Sequence, residues 1–307
     1  MINLLQIEAF LHAAEALSFS EAAKKMHLSQ PTISHHIKSL EHEFGIELFD
    51  RAGSGIYLTE GGRLLLPWAR KLIRETLEIQ EMMASIQEKI VGDLRIACST
   101  TTGKYILPQL AARFHNRYPW VQVRILSCTA EHVVPRLLEA EANIGVLSRE
   151  SFEPGLESQE FFTDQMVFIL PAAHPWADRP YIEPSEIISV PLILREPTSG
   201  TRRVMLTELG KYDIHLDNLN IFMELGNAEA IVETVAAGFG ASFVSRLSVT
   251  SALQLKRVVA MPVMGMNLQR KIYMVRRSIE ISNRAQEVFW GFIHDPANVD
   301  LLEMAAG

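Results

Sequence analysis

Two hydroxyl-rich segments of the chain have residue types that could hold a small anion. One is STTTG at 99–103, which follows a short apolar run and precedes a helical pattern. The other is REPTSGTR at 195–202, which enters a second helical pattern. Hydroxyl groups, and the free N–H groups at a helix start, donate hydrogen bonds to carboxylates and oxyanions. Since Ser and Thr are also ordinary helix caps, each loop alone is better explained as a cap, and only the pair favours a ligand site.

A second group of polar residues lies on one side of a segment near the N-terminus. Ser29 is a good N-cap, and Pro31 suits a first helical turn. The pattern therefore predicts a helix that runs from there to about Phe44 and is ended by Gly45. At 100° per residue, its apolar and polar residues fall on opposite faces. The apolar set is Ile33, Ile37, Leu40 and Phe44, and the outward set is Pro31, His35, Lys38 and His42, flanked by Thr32 and Ser34.

The elements around this helix complete a small unit. Apolar spacing predicts a helix over about 4–17, and Ser20 is expected to cap a second, short helix with the sequence SEAAKKM. A tight turn at 27–28 leads into the third helix. Two β-type runs then flank the turn residues 52–55, which predicts a hairpin wing with Arg51 at its base. This order is typical of a winged helix-turn-helix, although a three-helix bundle with a solvated face has the same helix spacing.

The same region resembles a known family. SFSEAAKKMHLSQPTISHHIKSLEHEFGIELFDR, followed by LTEGGRLLLPWAR, is similar to the DNA-binding signature of the LysR-type transcriptional regulators over some fifty residues. The resemblance implies contacts to bases and DNA backbone from Gln30, Pro31, Thr32, Ser34, His35 and Lys38, with Arg51 on flanking phosphates. Two features depart from it. Residues 1–62 have a formal charge of −4, and the wing lacks basic residues, so phosphate affinity per subunit should be modest and a dimer would compensate.

A long helix is predicted between this unit and the rest of the chain. From Thr59 to about Ile90 the apolar residues alternate spacings of four and three, which is a heptad pattern with charged flanks. Dimerisation through this helix is the preferred interpretation, and a lone helix lying on a globular core is the alternative. Pro67 is expected to bend the axis. The predicted dimer contacts are Leu65, Leu72, Ile79, Met83 and Ile86.

After Gly92 the pattern changes to short apolar strands that alternate with helices. Strands are predicted at 94–98, 121–126, 144–147, 166–170, 191–194, 221–224, 241–244 and 271–275, with helices at 104–118, 130–140, 201–209, 227–237 and 281–293. Two parallel-sheet lobes of this kind look like the type 2 periplasmic binding-protein fold, which is the effector domain of LysR-type regulators. Ligands of open α/β sheets bind at the carboxyl ends of the strands.

The fold class predicted is thus α/β, with a winged helix-turn-helix at 1–60, a linker helix at 61–91 and an effector-binding domain at 92–307. The first lobe should comprise about 92–163 and 266–307, and the second about 164–265. The resemblance implies that both hydroxyl-rich loops line the effector site, and by the same carry-over Thr129 and Asn227 join them. The predicted ligand-binding residues are Ser99, Thr100, Thr101, Thr102, Thr129, Thr198, Ser199, Gly200 and Asn227.

Composition and motifs exclude several other classes. The chain has 48% hydrophobic and 21% charged residues and a net charge of −7, which is a globular balance and argues against a protein that coats nucleic acid indiscriminately. No signal peptide, membrane span, disulfide framework, metal-ligand spacing or catalytic motif is present, so a cytoplasmic protein without cofactor, metal or enzymatic activity is expected. Cys98 and Cys128 end adjacent predicted strands, but small buried apolar residues are the better interpretation than a redox pair.

Two functions remain. The favoured one is a sequence-specific DNA-binding transcription regulator, a dimer or tetramer, that responds to a small effector, a carboxylate or oxyanion. Its partners would be double-stranded operator DNA, the effector, further copies of the chain and, as a possible addition, RNA polymerase. The alternative is a ligand-binding or enzymatic α/β protein whose N-terminal bundle mediates protein contacts.

Overall fold

A computed structural model describes residues 2–50, 56–85, 90–98, 100–278 and 284–306. The chain divides into two compact units, Met1–Lys89 and Ile90–Gly307, and each is described separately. Within the described ranges, no helix is long and apolar enough to cross a membrane.

The N-terminal unit is a helical bundle with a small hairpin. Its elements are α1 (Leu4–Ala16), α2 (Phe19–Lys25), α3 (Gln30–Phe44), β1 (Phe49–Asp50), β2 (Tyr57–Leu58) and α4 (Glu60–Ser85). The two strands pair antiparallel, with Phe49 opposite Leu58. The predicted cap of α2 is wrong by two residues, because the Ser18 side chain accepts the N–H of Glu21. The helix therefore begins at Phe19, which is buried in the core.

Packing in this unit fixes the third helix. Ile33, Ile37 and Leu40 of α3 are fully buried, whereas Phe44 at the helix end stays partly exposed. Phe10 of α1 and Phe19 of α2 both contact the ring of Phe49, at centroid distances of 5.5 and 5.3 Å. The first turns of α4 close the core from the other side. As a result, α3 is held between the bundle and the hairpin with its polar face outward.

The second unit contains two β-sheets joined by a long strand. Its strands are β3 (Gly92–Cys98), β4 (Val121–Ser127), β5 (Ile144–Leu147), β6 (Leu156–Pro171), β7 (Leu192–Arg195), β8 (Ile221–Leu225), β9 (Ser242–Ser245), β10 (Val258–Met261) and β11 (Gln269–Arg277). Its helices are α5 (Thr100–Tyr105), α6 (Leu107–Arg117), α7 (Ala130–Leu138), α8 (Gly200–Gly210), α9 (Ala228–Ala236), α10 (Arg246–Gln254), α11 (Arg284–Phe292) and α12 (Val299–Ala306). Short 3-10 helices lie at Pro184–Ser189, Leu216–Asn218 and Pro296–Asn298.

Two lobes follow from the strand pairing. In the first lobe, β4, β3 and β5 are parallel neighbours, and β11 and the first part of β6 extend that sheet antiparallel. In the second lobe, β7 and β8 pair parallel, while the last part of β6 pairs with β9 and β10. The strand β6 changes sheet between Gln165 and Met166, so it crosses from one lobe to the other. The predicted two-lobed α/β class is confirmed.

Several predicted boundaries are wrong, for identifiable reasons. The helix predicted at 104–118 is two helices, α5 and α6, because Pro108 lacks an N–H and suits the first turn of a new helix. The strand predicted at 166–170 begins ten residues earlier, at Leu156. The added part pairs with β11 and contains many polar residues, so it lacks the apolar run from which the strand was predicted. The elements α10, β10 and α12 were not predicted, because they are short and depend on packing against the rest of the unit.

Candidate functional site

The outward face of α3 carries exposed cationic and titratable groups. His35, Lys38 and His42 are all exposed, on the side opposite the three buried aliphatic residues. Among the described residues, the Lys38 ammonium has no ion-pair or hydrogen-bond partner, so it is free to meet a phosphate. The His35 and His36 rings lie 6.3 Å apart. This face can therefore present one ammonium group and the imidazoles of His35 and His42 to a groove of DNA.

The start of α3 is ordered by its own cap. The Ser29 hydroxyl accepts the Thr32 N–H at 3.3 Å and lies 2.7 Å from the Thr32 hydroxyl. Gln30 and Pro31 are exposed, and Thr32 and Ser34 are half-buried. The predicted contact at Arg51 lies outside the described residues.

Beside this face, α3 also holds the hairpin. The Glu41 carboxylate accepts the N–H groups of Leu48 and Phe49, at 2.9 and 3.3 Å. Because a charged acceptor strengthens both hydrogen bonds, the first strand of the wing is fixed relative to the helix.

In the second unit, a cavity of about 460 Å³ lies between the two lobes. It opens at the carboxyl ends of parallel strands from both sheets, namely β3, β4, β5, β7 and β8, and at the start of α8. Its lining residues are Thr101, Ser127, Cys128, Thr129, Ala130, Ser148, Arg195, Glu196, Thr198, Ser199, Gly200, Gly226 and Arg270. Hydroxyl groups therefore make up most of the polar lining. Such groups can donate hydrogen bonds to an anion where few unpaired charges are present.

Both arginines in this cavity are already paired. Arg195 makes a bidentate contact with the Glu196 carboxylate, with two hydrogen bonds of 2.7 Å. Arg270 on β11 contacts Asp164 on β6 at 2.6 Å, and the side chains of this pair are 8% and 2% exposed. The free hydrogen-bonding capacity of the cavity therefore lies mainly in its hydroxyls. Among the described residues, the hydroxyl of buried Thr101 has no hydrogen-bond partner.

The Arg270 and Asp164 pair belongs to a buried network where β6 changes lobes. The Ser245 hydroxyl donates to Asp164 at 2.6 Å, and Arg270 reaches the Thr201 hydroxyl on α8 at 3.2 Å. The network therefore links the crossing strands to the helix that borders the cavity.

Glycine at position 200 permits a close contact between the lobes. A Cβ atom there would lie 2.2 Å from the Ser148 hydroxyl oxygen, which is closer than any side chain allows. Arg203, one turn further along α8, donates to the Ser148 carbonyl at 2.7 Å. The start of α8 is thus packed directly onto the end of β5.

A second contact between the lobes lies beside the cavity. The Glu229 carboxylate at the start of α9 accepts the Tyr105 hydroxyl at 2.7 Å and pairs with the Lys104 ammonium at 2.8 Å. Burial alone would raise the pKa of the Glu229 carboxyl, but the hydrogen bonds from Lys104 and Tyr105 outweigh it and lower that pKa. Burial, followed by the hydrogen bond to Glu229, raises the pKa of the Tyr105 hydroxyl.

The cavity brings together many of the predicted ligand residues. Thr101, Thr129, Thr198, Ser199 and Gly200 line it. Asn227 does not, because its side chain caps α9 by accepting the N–H groups of Glu229 and Ala230, and the preceding Gly226 lines the cavity instead. Ser99 lies outside the described residues, as do the side chains of Thr100 and Thr102.

Sequence reasoning missed several lining residues. Ser127, Cys128 and Ser148 directly follow β4 and β5, so the rule that ligands bind at strand carboxyl ends could have found them. Arg270 does not follow a parallel strand, so this rule could not have found it. It lies on β11, 106 residues after Asp164 in the chain.

The two cysteines are close, as their strand ends predicted. The Cys128 N–H donates to the Cys98 carbonyl at 3.0 Å. Burial, with a smaller contribution from Cys128, raises the pKa of the Cys98 thiol to about 12. Burial also raises the pKa of the Cys128 thiol, and Arg136 offsets this only in part. Both thiols are thus kept in the unreactive protonated form.

The long helix α4 has a buried side and an exposed apolar side. Leu65 and Ala69 pack on the helical bundle, so Leu65 already has contacts within the subunit. Leu72, Ile79 and Met83 are 39%, 56% and 57% exposed. Trp68 is 67% exposed and extends the same side toward the helix start, with the Lys71 ammonium 5.7 Å from its ring centroid. Ile86 lies outside the described residues.

Within the described residues, no cluster of His, Cys, Asp or Glu could hold a metal ion. A helix-turn-helix unit joined to a two-lobed ligand-binding fold defines a class of transcription regulator. The model of the bacterial regulatory helix-turn-helix proteins of the LysR family matches residues 4–63, and the model of the LysR substrate binding domain matches residues 87–297. The chain belongs to the LysR family of transcriptional regulators.

Individual relatives agree with this. The chain is 30% identical over 289 residues to the HTH-type transcriptional regulator MJ0300 of Methanocaldococcus jannaschii, covering 93% of this chain and 96% of that protein. Full-length CbnR, solved with its target DNA, has a TM-score of 0.72 at 21% identity and covers 95% of this chain and 99% of its own. The Synechocystis CcmR regulatory domain, solved with 2-PG, has a TM-score of 0.60 at 25% identity, covering 66% of this chain and 95% of that domain.

Proposed function

We propose that this LysR-family regulator reads its operator through α3 and senses a small anion in the cavity between the two lobes. The observation that carries the second part is the Thr101 side chain, which is 7% exposed and lines the cavity, and whose hydroxyl has no hydrogen-bond partner among the described residues. Because no protein group engages this hydroxyl among the described residues, it can donate a hydrogen bond to a ligand in the cavity.

For the DNA contact, we infer that Lys38 meets a phosphate and that His35 reads a base edge. Their exposure on the outward face of α3 supports this. Gln30, Pro31, Thr32 and Ser34 surround them and are proposed to position the helix start, and Arg51 is proposed to meet a flanking phosphate.

Substitution of these two residues should separate affinity from specificity. Lys38→Ala is expected to weaken binding to all duplexes roughly equally and to lower the salt slope by about 1, because one phosphate contact is lost. His35→Ala is expected to relax preference at particular base pairs, with a cost of about 1–3 kcal/mol on the preferred sequence. Footprinting upstream of the regulator's own gene would define the operator, and titrations at several salt concentrations would measure both effects. Unchanged operator affinity in both folded variants would contradict the assignment.

For the effector, we infer a carboxylate or another oxyanion held by cavity hydroxyls. Thr101 and Ser148 are proposed to donate from the first lobe, and Thr198 and Ser199 from the second. Thr100 and Thr102 keep the same proposed role. Because residues from both lobes would contact one ligand, binding should favour one lobe arrangement over another and thereby change operator affinity.

Removing one hydroxyl tests the effector cavity. Thr101→Val preserves the shape of the side chain, so we expect roughly tenfold weaker binding of anions and unchanged operator binding without them. Thr250→Val is a matched control, since its exposed hydroxyl donates to the Arg246 carbonyl in α10, outside the cavity lining. The readout is thermal stabilisation and calorimetry with small carboxylates, phosphate and 2-PG, the compound named with CcmR. Equal responses of parent and Thr101→Val, or stabilisation by uncharged compounds alone, would refute the anion cavity.

The remaining features are proposed on the same basis. Residues 1–60 would bind DNA, 61–91 would form the linker and dimerisation helix, and 92–307 would bind the effector. We propose a regulator without catalytic activity that acts in the cytoplasm, where its operator lies. Salt-dependent binding to one specific duplex distinguishes this function from an α/β protein whose bundle only contacts other proteins.

A further inference from the structure

A second cavity, of about 540 Å³, lies next to the hydroxyl-lined one. The two share Ala130, Thr198 and Ser199 in their linings, so they border each other. The second differs from the first in its charge, because three arginines line it. They are Arg149 after β5 and Arg202 and Arg203 in the first turn of α8.

Only one of these three guanidinium groups is neutralised. Arg202 pairs with the Glu224 carboxylate and also donates to the Arg195 carbonyl at 3.0 Å. Within the described ranges, the acceptors of Arg203 are the two uncharged oxygens of Ser148, at 2.7 and 3.4 Å.

Arg149 is the least satisfied of the three. Among the described residues it has no hydrogen-bond or ion-pair partner. The carboxylate that lines this cavity, Glu131, is engaged by the Thr129 hydroxyl at 3.3 Å and lies 3.8 Å from the His132 ring. In the part of the chain that the structure describes, two cationic groups of this cavity therefore have no carboxylate partner.

Two further observations show that this cavity favours negative charge. Burial, and then repulsion from Arg149 and Arg270, lowers the pKa of the Arg203 guanidinium. The helix α7 has nine residues, and the side chain of Thr129 does not cap its N-terminus. The first residue of α7, Ala130, lines both cavities. An anion here would relieve the repulsion between guanidinium groups and accept hydrogen bonds from them.

We propose that Arg149 and Arg203 form a second anion subsite, and that the effector is therefore an acid with two anionic groups. One group lies in the hydroxyl-lined cavity and the other on the two arginines. This rests on the proposed effector function of the first cavity. The chemical class is a short dicarboxylate or a phosphorylated carboxylic acid, in which a few atoms separate the two charges.

The test compares diacids with monoacids on the full-length protein. Calorimetry with succinate, glutarate and adipate, against butyrate, pentanoate and hexanoate, measures what the second charge contributes. The variants are Arg149→Gln with Arg203→Gln, which removes both charges but keeps polar side chains, and Arg246→Gln as the control. Arg246 is an exposed arginine of the second lobe that lies outside both linings.

We expect at least one diacid to bind the parent roughly tenfold or more tightly than its monoacid, because charge-assisted hydrogen bonds to arginine are among the stronger ones. The double variant should abolish this difference, and Arg246→Gln should keep it. If no diacid exceeds its monoacid, or if the double variant retains the preference, the subsite is wrong. If inorganic phosphate binds at the arginines without competing with diacids, the arginines hold a separate ion and the two-charge effector is also wrong.

Failure of this inference is distinguishable from failure of the proposed function. Thr101→Val should weaken diacids and monoacids alike if the first cavity binds an anion. A loss of that effect refutes the first cavity, whereas its persistence with no effect of the arginine variants refutes only the second subsite. Operator binding without ligand, measured on each variant, reports that the DNA-binding unit is intact, and the thermal unfolding of each variant reports that the second unit remains folded.

Discussion

Asp164→Ala is expected to destabilise the second unit by about 3–5 kcal/mol, because it leaves the buried Arg270 guanidinium without its carboxylate. Asp164 also accepts the Ser245 hydroxyl, which loses its acceptor in the variant. The side chains of Asp164 and Arg270 are 2% and 8% exposed, so water compensates poorly for the lost partner. Urea denaturation of the full chain, followed by circular dichroism, measures the change.

Two further variants show whether the buried charge is the cause. Asp300→Ala breaks an exposed ion pair with Arg113 in the same unit and should change stability little. Combining Asp164→Ala with Arg270→Met removes both charges and should recover most of the lost stability. If the double variant is no more stable than Asp164→Ala alone, packing or the Ser245 contact is responsible, and the ion-pair account is wrong.

Leu72→Asp combined with Ile79→Asp is expected to convert the oligomer to smaller species and to lower operator affinity roughly a hundredfold or more. Both residues are exposed on one side of α4 in the single subunit, so their change should leave the subunit fold intact. In a two-stranded seam each aspartate would be a buried charge without a partner. Loss of the second DNA-binding unit removes the gain from binding two half-sites at once. Sedimentation and operator titration are the measurements.

Leu77→Asp provides a matched control on the same helix. Leu77 is 52% exposed, but at 100° per residue it lies on the opposite side of α4 from Leu72 and Ile79. We expect it to keep the parent mass and operator affinity. A parent mass for the double variant as well would mean that the exposed side of α4 is not the subunit contact.

The sequence by itself determined the features that depend on local rules. The cap at Ser29, the stop at Gly45 and the periodicity of Ile33, Ile37 and Leu40 predicted α3 and its outward face, because capping and helical period act within a few residues. The same rules predicted the two lobes and directed attention to residues 99–103 and 195–202. Residues 100–103 are helical in the structure, as the start of α5, and residues 195–202 include the start of α8. The resemblance of residues 18–70 to the LysR-type signature, which the comparisons confirm, supplied the function.

The tertiary structure decided whatever depends on residues that are distant in the chain. Leu65 fits the heptad pattern as well as Leu72 does, but only packing shows that Leu65 contacts the helical bundle. Arg270 reaches the cavity because β11 pairs with β6. Asp164 neutralises its guanidinium group, and the hydroxyl-rich loops predicted neither residue. Arg149 and Arg203 come together only where β5 ends against the start of α8. Neither guanidinium group has a carboxylate partner among the described residues. This arrangement depends on the contact between the two lobes, which local sequence rules do not predict.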